Sequence, residues 1–439
     1  MRFETVLLVI AGTLFATGAG AWPAAREETL PNGLRVLLAP DSLAPGVDVA
    51  VWYRAGSRFE RAGSRGVTHL MERMMFRGSR RYAAGDHRRL LGEQGANVGT
   101  FAAPDYTCFY EVVPSASLAL ALRLEADRMG GVRATEATLA AERSAAAEEQ
   151  SRRGESAISV GLQALYAAAY GTHPYAAPIA GRPRERSAVT LATLTAYQRA
   201  RFSPSNALLT LAGNFDPDTA LALVRRGFGA LPAAPVPAAP AAALPADDNE
   251  RRGSAIAPTP LPVLFVGWRA PGAADSSRVT LAVLSRLLTD GPSSALARAL
   301  VHRKQPFAVG VQGDVDVQRE SALLYAVVPS RPDVDTSAVE GVLTVEVTRL
   351  GRDTVSTADL ERVKHALELE WRSQRQTSHG RAQAMGSAAI LSGDWREADR
   401  DLARLRAVSP EDVRALAARV LVDDRSAVVW VRPAGEVSR

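Results

Sequence analysis

Cysteine, lysine and histidine are scarce in this sequence of 439 residues. The single cysteine, Cys108, excludes an intramolecular disulfide and a zinc site built from several cysteines. Any metal must therefore be held by carboxylates and by some of the six histidines. Lys304 and Lys364 are the only lysines, so the net charge of +5 comes almost entirely from arginine. Basic and acidic residues are interspersed without long runs of one sign, which indicates arginine–carboxylate pairing and no nucleic-acid partner.

Long hydrophobic runs are also missing, with one short exception at the N-terminus. Arg2 precedes the apolar segment Val6–Phe15, and small residues follow at positions 19–21. This order is typical of a secretory signal peptide over residues 1–21. A membrane anchor is the alternative, but the run is shorter than the ~20 residues that span a bilayer. The sequence therefore predicts an exported protein, periplasmic or secreted, without a stable membrane anchor.

The chain is long enough for two domains, and its composition changes near the middle. Residues 231–258 are rich in proline and alanine and then polar, which predicts an interdomain linker. On either side, residues 22–230 and 259–439 repeat one order of strand-like segments, amphipathic helices and a closing strand. The segments are strands at 34–38, 47–53, 207–212, 261–268 and 427–431, and helices at 115–129 and 359–373. We expect an α+β fold of two homologous domains, each an antiparallel β-sheet packed with α-helices.

The strongest candidate for chemistry is the segment 66–78. Its apolar residues alternate with His69, Glu72 and Arg73 as on a helix that keeps these three side chains on one face. A histidine at position 73 would complete H-x-x-E-H, in which two imidazoles one turn apart bind zinc and the glutamate acts on the metal's water. Position 73 is arginine instead.

The surrounding sequence resembles the insulinase/pitrilysin family of inverted-motif zinc peptidases over nearly the whole mature chain. Each match is weak alone, but together they occur in the family's order. They are the opening strand at 29–36, the metal helix at 66–78, the edge strand at 104–110, the second helix at 142–149, the segment 173–181, and the C-terminal segments 293–305 and 402–413. The resemblance implies that the two domains face each other as a half-clamshell.

The resemblance also implies a role for each residue that matches the family's motif. His69 would be the first zinc ligand and Glu149 the distal ligand, while Glu72 would be the general base, vestigial here. Glu142 would be a carboxylate behind the ligands. A peptide substrate would lie beside the edge strand, where Gly99, Thr100 and Phe101 are the candidate binding residues.

Two departures from the family pattern bear on activity. Arg73 replaces the second histidine ligand, and a guanidinium stays protonated and has no lone pair for a metal. We expect Arg73 to stand in place of the ion and to pair with Glu149 or Glu142. In the C-terminal domain, Val301 and Ala308 occupy the positions of the arginine and tyrosine that hold the substrate carbonyl in active members.

These departures lead to competing expectations for function. The first is a catalytically defective member, with zinc absent or weakly bound, that pairs with a homologous zinc-bearing subunit or with itself to enclose a peptide. The alternative is an active zinc-dependent metalloendopeptidase that works slowly with a degenerate site. A purely structural role, as in respiratory-complex core subunits of similar descent, suits an exported chain less well.

The remaining histidines and the cysteine have simpler interpretations. His87, His173 and His379 are expected to cap or pin loops. Cys108 lies in an alternating segment and is expected to be a packed, inert thiol.

Overall fold

The fold is seen in a computed structural model that describes residues 25–434. The predicted signal peptide, residues 1–21, lies outside the described residues. None of the helices within the described range has the length and apolar character needed to cross a membrane.

The first half of the chain forms a six-stranded β-sheet. Its strands are β1 (Arg26–Thr29), β2 (Arg35–Pro40), β3 (Val47–Tyr53), β4 (Asn97–Ala102), β5 (Thr107–Val113) and β6 (Ala207–Gly213). They lie in the order β1-β2-β6-β3-β5-β4, so β4 is at one edge. All neighbours are antiparallel except β2 and β6, which are parallel.

The second half forms a five-stranded sheet with the same plan. Its strands are β7 (Arg251–Ala257), β8 (Val263–Pro271), β9 (Gln312–Val317), β10 (Ser321–Pro329) and β11 (Ser426–Pro433). Their order, β7-β11-β8-β10-β9, matches β2-β6-β3-β5-β4 strand for strand, and β7–β11 is again the one parallel pair. This correspondence confirms two homologous α+β units. The expected sheets were wholly antiparallel, whereas each contains a single parallel pairing.

Helices cover the sheets in both halves. The first half has α1 (Val67–Met74), α2 (Asp86–Gly92), α3 (Leu118–Met129), α4 (Glu136–Gly154), α5 (Ala157–Tyr170), α6 (Pro183–Ser187), α7 (Leu191–Arg201) and α8 (Pro217–Phe228). The second half has α9 (Arg278–Thr289), α10 (Thr336–Arg352), α11 (Thr357–Gln374), α12 (Ser378–Leu391), α13 (Glu397–Ala407) and α14 (Pro410–Val420), with a short π-helix at Ala297–Val301.

Strand β3 shows how the sequence places side chains on two faces of one sheet. Val49 and Val51 point into the core formed with α1, α3, α7 and α8, and Ala50 and Trp52 point to the opposite face. Both faces are buried, so every residue of β3 is inaccessible. A strand that alternates between two covered faces needs a second layer of helix, and the second half of the chain supplies it.

The two halves are interlocked by an exchange of helices. Helix α12 packs on the first sheet, and α5 packs on the second sheet. At each contact a helix glycine lies on an aromatic ring: Gly386 on Trp52, and Gly161 on Phe265. A Cβ at either glycine would come within 2.2 Å of a ring atom, so only glycine fits there without movement.

The segment predicted as the linker runs along both halves. Ser205 Oγ donates to the carbonyl of Ala234, and Arg269 Nη2 donates to Asp247 at 2.7 Å. Strand β7 begins at Arg251, inside the predicted linker range 231–258, so the second sheet starts earlier than residue 259. The proline- and alanine-rich stretch thus binds to the domains on either side of it.

Candidate functional site

Helix α1 carries the motif and is fixed at its N-terminus by a buried carboxylate. Glu60 Oε2 accepts the backbone N–H of Gly66, and Oε1 accepts that of Thr68, both at 2.8 Å. Gly66 has φ +94°, and a Cβ there would lie 2.5 Å from the carbonyl oxygen of Ala180. Burial raises the pKa of Glu60 to about 7, although the two backbone hydrogen bonds lower it. Gly66 occupies the N-cap position and has no side chain to accept these hydrogen bonds, so the Glu60 carboxylate caps the helix instead and fixes the position of α1.

The faces of α1 divide as the sequence predicted. Leu70, Met71 and Met74 are buried in the first-half core. His69 and Arg73 face α4, which contributes Glu142 and Glu149. Glu72 lies between His69 and Thr100 of β4. These residues share one site because α1 and α4 pack side by side over the sheet.

Arg73 lies between the two carboxylates of α4. Its Nε donates to Glu142 Oε2, and its Nη1 donates to Glu149 Oε2 at 3.2 Å. His69 Nε2 lies 3.4 Å from the same Glu149 oxygen, but without hydrogen-bond geometry. His69 Nδ1 lies 3.4 Å from Glu72 Oε2. The pairing of Arg73 with both Glu142 and Glu149 confirms the expectation drawn from the sequence.

Two further arginines complete the ionic cluster. Arg77 Nε donates to Glu142 Oε1, so that this buried carboxylate is held by two guanidinium groups. Arg153 Nη2 donates to Glu149 Oε1 at 2.7 Å. The sequence reasoning missed Glu60, Arg77 and Arg153. The i, i+4 spacing from Arg73 to Arg77 and from Glu149 to Arg153 could have revealed the arginines, whereas no short-range pattern points to Glu60.

Edge strand β4 borders the site, and its three predicted residues differ in orientation. Thr100 Oγ1 lies 3.2 Å from Glu72 Oε1 and 2.9 Å from the carbonyl of Cys108. Phe101 lines the cavity but packs its ring against Trp52 on the opposite face. Gly99 lies under the Tyr110 ring, where a Cβ would come within 2.2 Å. Of the three, Thr100 is the one whose side chain bonds to the motif.

A cavity of about 700 Å³ opens over these side chains. It is lined by His69, Glu72, Arg73, Phe76, Arg77, Ala84, Gly85, Arg88, Thr100, Phe101, Ala102, Glu142, Glu149, Arg153, Ile179 and Ala180. A neighbouring cavity of about 580 Å³ shares Glu149 and Ile179 with it and is mostly apolar, with Tyr166 and Tyr175 in its walls. The two cavities adjoin, since Arg153 and Ala180 also line both, and the larger one lies beside β4.

The two second-half positions compared with the family's arginine and tyrosine lie away from the motif. Val301 ends the π-helix and packs against the second-half core, and Ala308 is buried in that core. Neither lines the cavity above α1. Asp105 joins the halves instead: it accepts the Tyr175 hydroxyl at 2.9 Å and the backbone N–H of Arg319 at 2.9 Å.

The remaining histidines hold the fold in different ways. His173 caps a short 3-10 turn by accepting the N–H of Tyr175, which confirms its expected role. His379 lies in α12, where Nδ1 is 2.7 Å from Asp48 Oδ2. His87 lies in α2 and points into the core, so the prediction that His87 and His379 cap loops is wrong. The Cys108 thiol is fully buried, and burial raises its pKa, which fits an inert side chain.

His87 belongs to a buried ionic cluster that the sequence did not indicate. Its Nε2 lies 3.2 Å from Glu125 Oε1 and 3.5 Å from Glu111 Oε1. Arg128 occupies the centre, donating to Glu125 and, at 3.2 Å, to Glu111. Burial and the neighbouring Glu125 raise the pKa of Glu111 well above its usual range, which favours its protonated form. The guanidinium and the shared proton balance these carboxylates without a metal.

Comparisons with known proteins agree with this arrangement. Residues 35–182 match the family model described as Insulinase (Peptidase family M16), and residues 188–367 match the Peptidase M16 inactive domain. An uncharacterized zinc protease of Mycobacterium tuberculosis is 28% identical over 411 residues, 91% of either chain. Zinc protease PqqE of Helicobacter pylori is 26% identical over 372 residues, 83% of either chain.

Solved structures share the fold over almost the whole chain. A protease from Helicobacter pylori superposes with a TM-score of 0.88 at 23% identity, covering 94% of this chain and 100% of that one. A structure described as a peptidase M16 inactive domain from Pseudomonas fluorescens gives 0.85 at 18% identity, with coverages of 94% and 98%. With a duplicated α+β fold and an H-x-x-E-R helix packed against a glutamate-bearing helix, the chain belongs to the insulinase family, peptidase family M16, as a two-domain member.

Proposed function

We propose that this chain is an exported, non-catalytic partner subunit of a peptide-enclosing zinc protease assembly. The observation that carries the proposal is the position of Arg73. Its guanidinium binds Glu149 Oε2, the oxygen that also faces His69 Nε2. A metal at this site would need that oxygen as a ligand, but the permanently charged guanidinium of Arg73 already binds it.

The residues at this site do not fit a catalytic zinc. Three protein ligands are the rule for such an ion, and only His69 and Glu149 are available here. A divalent ion ~4 Å from a guanidinium would be opposed by about 8 kcal/mol at an effective dielectric constant of ~20. That opposition is half or more of the ~10–16 kcal/mol with which complete structural sites bind zinc. The carboxylates need no ion, because Arg73, Arg77 and Arg153 neutralise them.

A role in peptide binding is supported by strand β4 and the recess beside it. Within residues 25–434, β4 pairs with β5 alone, so its outer edge can accept an extended peptide as an added strand. The adjoining apolar cavity offers space for a side chain of that peptide. The relatives from Mycobacterium tuberculosis and Helicobacter pylori are named zinc proteases, and a protease binds polypeptide chains, which agrees with a peptide ligand here.

Pairing with a zinc-bearing homologue would supply the chemistry that this chain lacks, whereas pairing with a second copy of this chain would complete only the enclosing wall. Val301 and Ala308 pack within the second-half core and have no side-chain donor, so this chain cannot supply a side-chain hydrogen bond from either position. A partner with complete motifs would provide the chemistry, while this chain would provide part of the enclosing wall.

Metal analysis of the purified full-length protein tests the proposal directly. We expect no zinc to be retained after dialysis, and we expect Arg73→His to retain about one zinc per chain. Arg73→Lys, which keeps a positive charge at the same place, is the matched control and should remain metal-free. Stoichiometric zinc in the native protein that is lost in His69→Ala would refute the non-catalytic assignment.

An active metalloendopeptidase is the second candidate, and one observation favours it. His69 Nε2 is buried and has no hydrogen-bond partner in the described structure, which is a state suited to a ligand atom. The test is hydrolysis of an unstructured peptide by the isolated chain with added zinc. Activity that disappears in Glu72→Gln would establish the enzyme, and no activity in either protein would support the partner role.

A further inference from the structure

The cavity above α1 contains more positive than negative charge. Its walls carry four guanidinium groups, from Arg73, Arg77, Arg88 and Arg153, and three carboxylates, from Glu72, Glu142 and Glu149. The carboxylates of α4 are bound by Arg73, Arg77 and Arg153. The four guanidinium groups outnumber the three carboxylates by one, so the cavity has a net charge of +1 when His69 is neutral. Arg88 is the lining arginine that is not bound to a carboxylate of α4.

Several guanidinium donors are free to receive a ligand. Arg73 uses Nε and Nη1 in its two ion pairs, and Arg77 uses Nε alone, within residues 25–434. Arg88 stacks over the Phe76 ring at 4.2 Å, and across the same range no carboxylate lies within ion-pair distance of it. These groups can therefore bind an anion without breaking an existing ion pair.

The exchange of a metal for a guanidinium changes which chemical group the site recognises. A zinc ion polarises a neutral carbonyl, whereas a guanidinium presents parallel N–H donors that match the two oxygens of a carboxylate. Thr100 of β4 contacts Glu72 of α1, and Thr100 and Arg73 line the same cavity, so a peptide added along β4 passes the mouth of the cavity that holds Arg73. A peptide that ends there presents its α-carboxylate to the free donors.

We propose that this cavity binds the free C-terminal carboxylate of an extended peptide, so that the chain's ligand is a peptide already cleaved. The inference rests on the proposed peptide-binding function. Arg73 and Arg88 hold the carboxylate, and the outer edge of β4 holds the preceding residues. The preferred ligand has the chemistry of a proteolytic product, with a new carboxyl terminus.

The test is calorimetric titration of the full-length protein with one short, unstructured peptide that has no acidic side chains, prepared as the free acid and as the C-terminal amide. We expect the free acid to bind at least about tenfold more tightly, as for a hydrogen-bonded ion pair. Arg88→Ala should reduce this preference for the acid without affecting folding, since Arg88 is exposed. Arg73→Met should also reduce it, and the matched control Arg226→Ala, an exposed arginine outside the cavity, should not.

The other outcomes separate this inference from the function on which it rests. Equal affinity for acid and amide would overturn the carboxylate assignment while leaving the peptide-binding role in place. An amidated peptide with an internal glutamate that binds as tightly as the free acid would overturn the assignment to the terminus. If neither peptide binds, both the proposed function and this inference fail.

Discussion

The helix pair α1–α4 in the first half and the pair α9–α11 in the second half occupy the same place beside equivalent sheets, but their contacts differ in kind. Between α1 and α4 lie His69, Arg73 and the carboxylates of α4. Between α9 and α11 the buried contacts are made by apolar side chains such as Leu284 and Leu367, and the Arg286–Glu370 ion pair lies at the surface. The fold therefore does not require buried charge at this position, and the ionic cluster of the first half indicates a function.

A second contrast concerns the sheet faces under the exchanged helices. Under α12, the first sheet buries the acidic Asp48, which pairs with His379. Under α5, the second sheet buries the basic Arg269, which donates to the carbonyl of Ala169 at the C-terminal end of that helix. An acidic residue thus anchors the exchanged helix α12 to the first sheet, and a basic residue anchors the exchanged helix α5 to the second sheet. A cation at a helix C-terminus is favourable, whereas a buried carboxylate must be neutralised by its partner.

The largest expected effect comes from the buried cluster of His87, Glu111, Glu125 and Arg128, which has no counterpart among the described residues of the second half. Arg128→Met leaves the buried carboxylates of Glu111 and Glu125 without their cation, which should lower the free energy of unfolding by ~3–5 kcal/mol. Arg349→Met is the matched control, because Arg349 forms an i, i+3 pair with Glu346 on α10, but at the surface. That change should cost less than ~1 kcal/mol. If urea unfolding gives similar losses in the free energy of unfolding for Arg128→Met and Arg349→Met, the predicted importance of the buried cluster is wrong.

The next effect is a pH dependence assigned to Asp48. Burial raises the pKa of Asp48 to about 6, although the hydrogen bond with His379 lowers it. The folded state therefore binds this proton more tightly than the unfolded chain does, so the stability it contributes is lost as pH rises from ~4 to ~6. Asp48→Asn should remove this dependence, and its stability relative to the native protein should increase by up to ~3 kcal/mol over that range.

Unfolding midpoints measured at several pH values check this prediction. The control is Asp394→Asn, because burial raises the pKa of Asp394 but its hydrogen bonds with Arg396 and Arg400 together lower it below the usual range, so Asp394 stays charged from pH 4 to 7. A constant stability difference between Asp48→Asn and the native protein from pH 4 to 7 would show that Asp48 stays charged.

A smaller effect tests whether the two helix exchanges are equivalent. Gly386→Ala should push the new methyl group into Trp52, and Gly161→Ala should push it into Phe265. Each substitution should destabilise the protein by ~1–3 kcal/mol through overpacking. Gly341→Ala is the control, since Gly341 is exposed in α10 with open space around it, and it should stabilise by up to ~1 kcal/mol. Thermal unfolding that is unchanged in both packed variants would mean that the contacts are loose.

The smallest effect concerns the single ion pair that joins α9 to α11. Arg286 Nη2 donates to Glu370 Oε2 at 2.7 Å, with both side chains more than one-third exposed. Arg286→Met should change the free energy of unfolding by less than ~0.5 kcal/mol. Arg73→Met, at the corresponding helix pair of the first half, should cost ~1–2 kcal/mol because Glu142 is buried. If Arg286→Met and Arg73→Met change the free energy of unfolding equally in chemical denaturation, the two helix pairs do not differ in the strength of their ionic contacts.

Local pattern predicted much of this structure. The alternation at Val47–Tyr53 predicted β3 with its observed bounds, and the closing strands match β6 and β11 closely. The polar face of α1 was also predictable, because a helix places residues three and four apart on one side. Its pairing with Glu142 and Glu149 followed from the resemblance to the insulinase/pitrilysin family and not from any local pattern.

The features that sequence did not predict depend on contacts between distant segments. Nothing local to α5 or α12 shows that each covers the sheet of the opposite half. Glu60 binds the start of α1 across a loop, and Arg128 binds Glu111 on another element. A buried arginine has the same sequence signature as an exposed one until its partners are known.

The exchanged helices also change what a break in the chain would do. Removal of one half would leave an apolar sheet face of the other half open to water, with Trp52 or Phe265 exposed. We therefore expect the halves to depend on each other for folding through these helices, with only a few hydrogen bonds added by the proline- and alanine-rich segment. Two separate polypeptides, cut within that segment and produced together, should complement each other and reassemble the native protein without a covalent link.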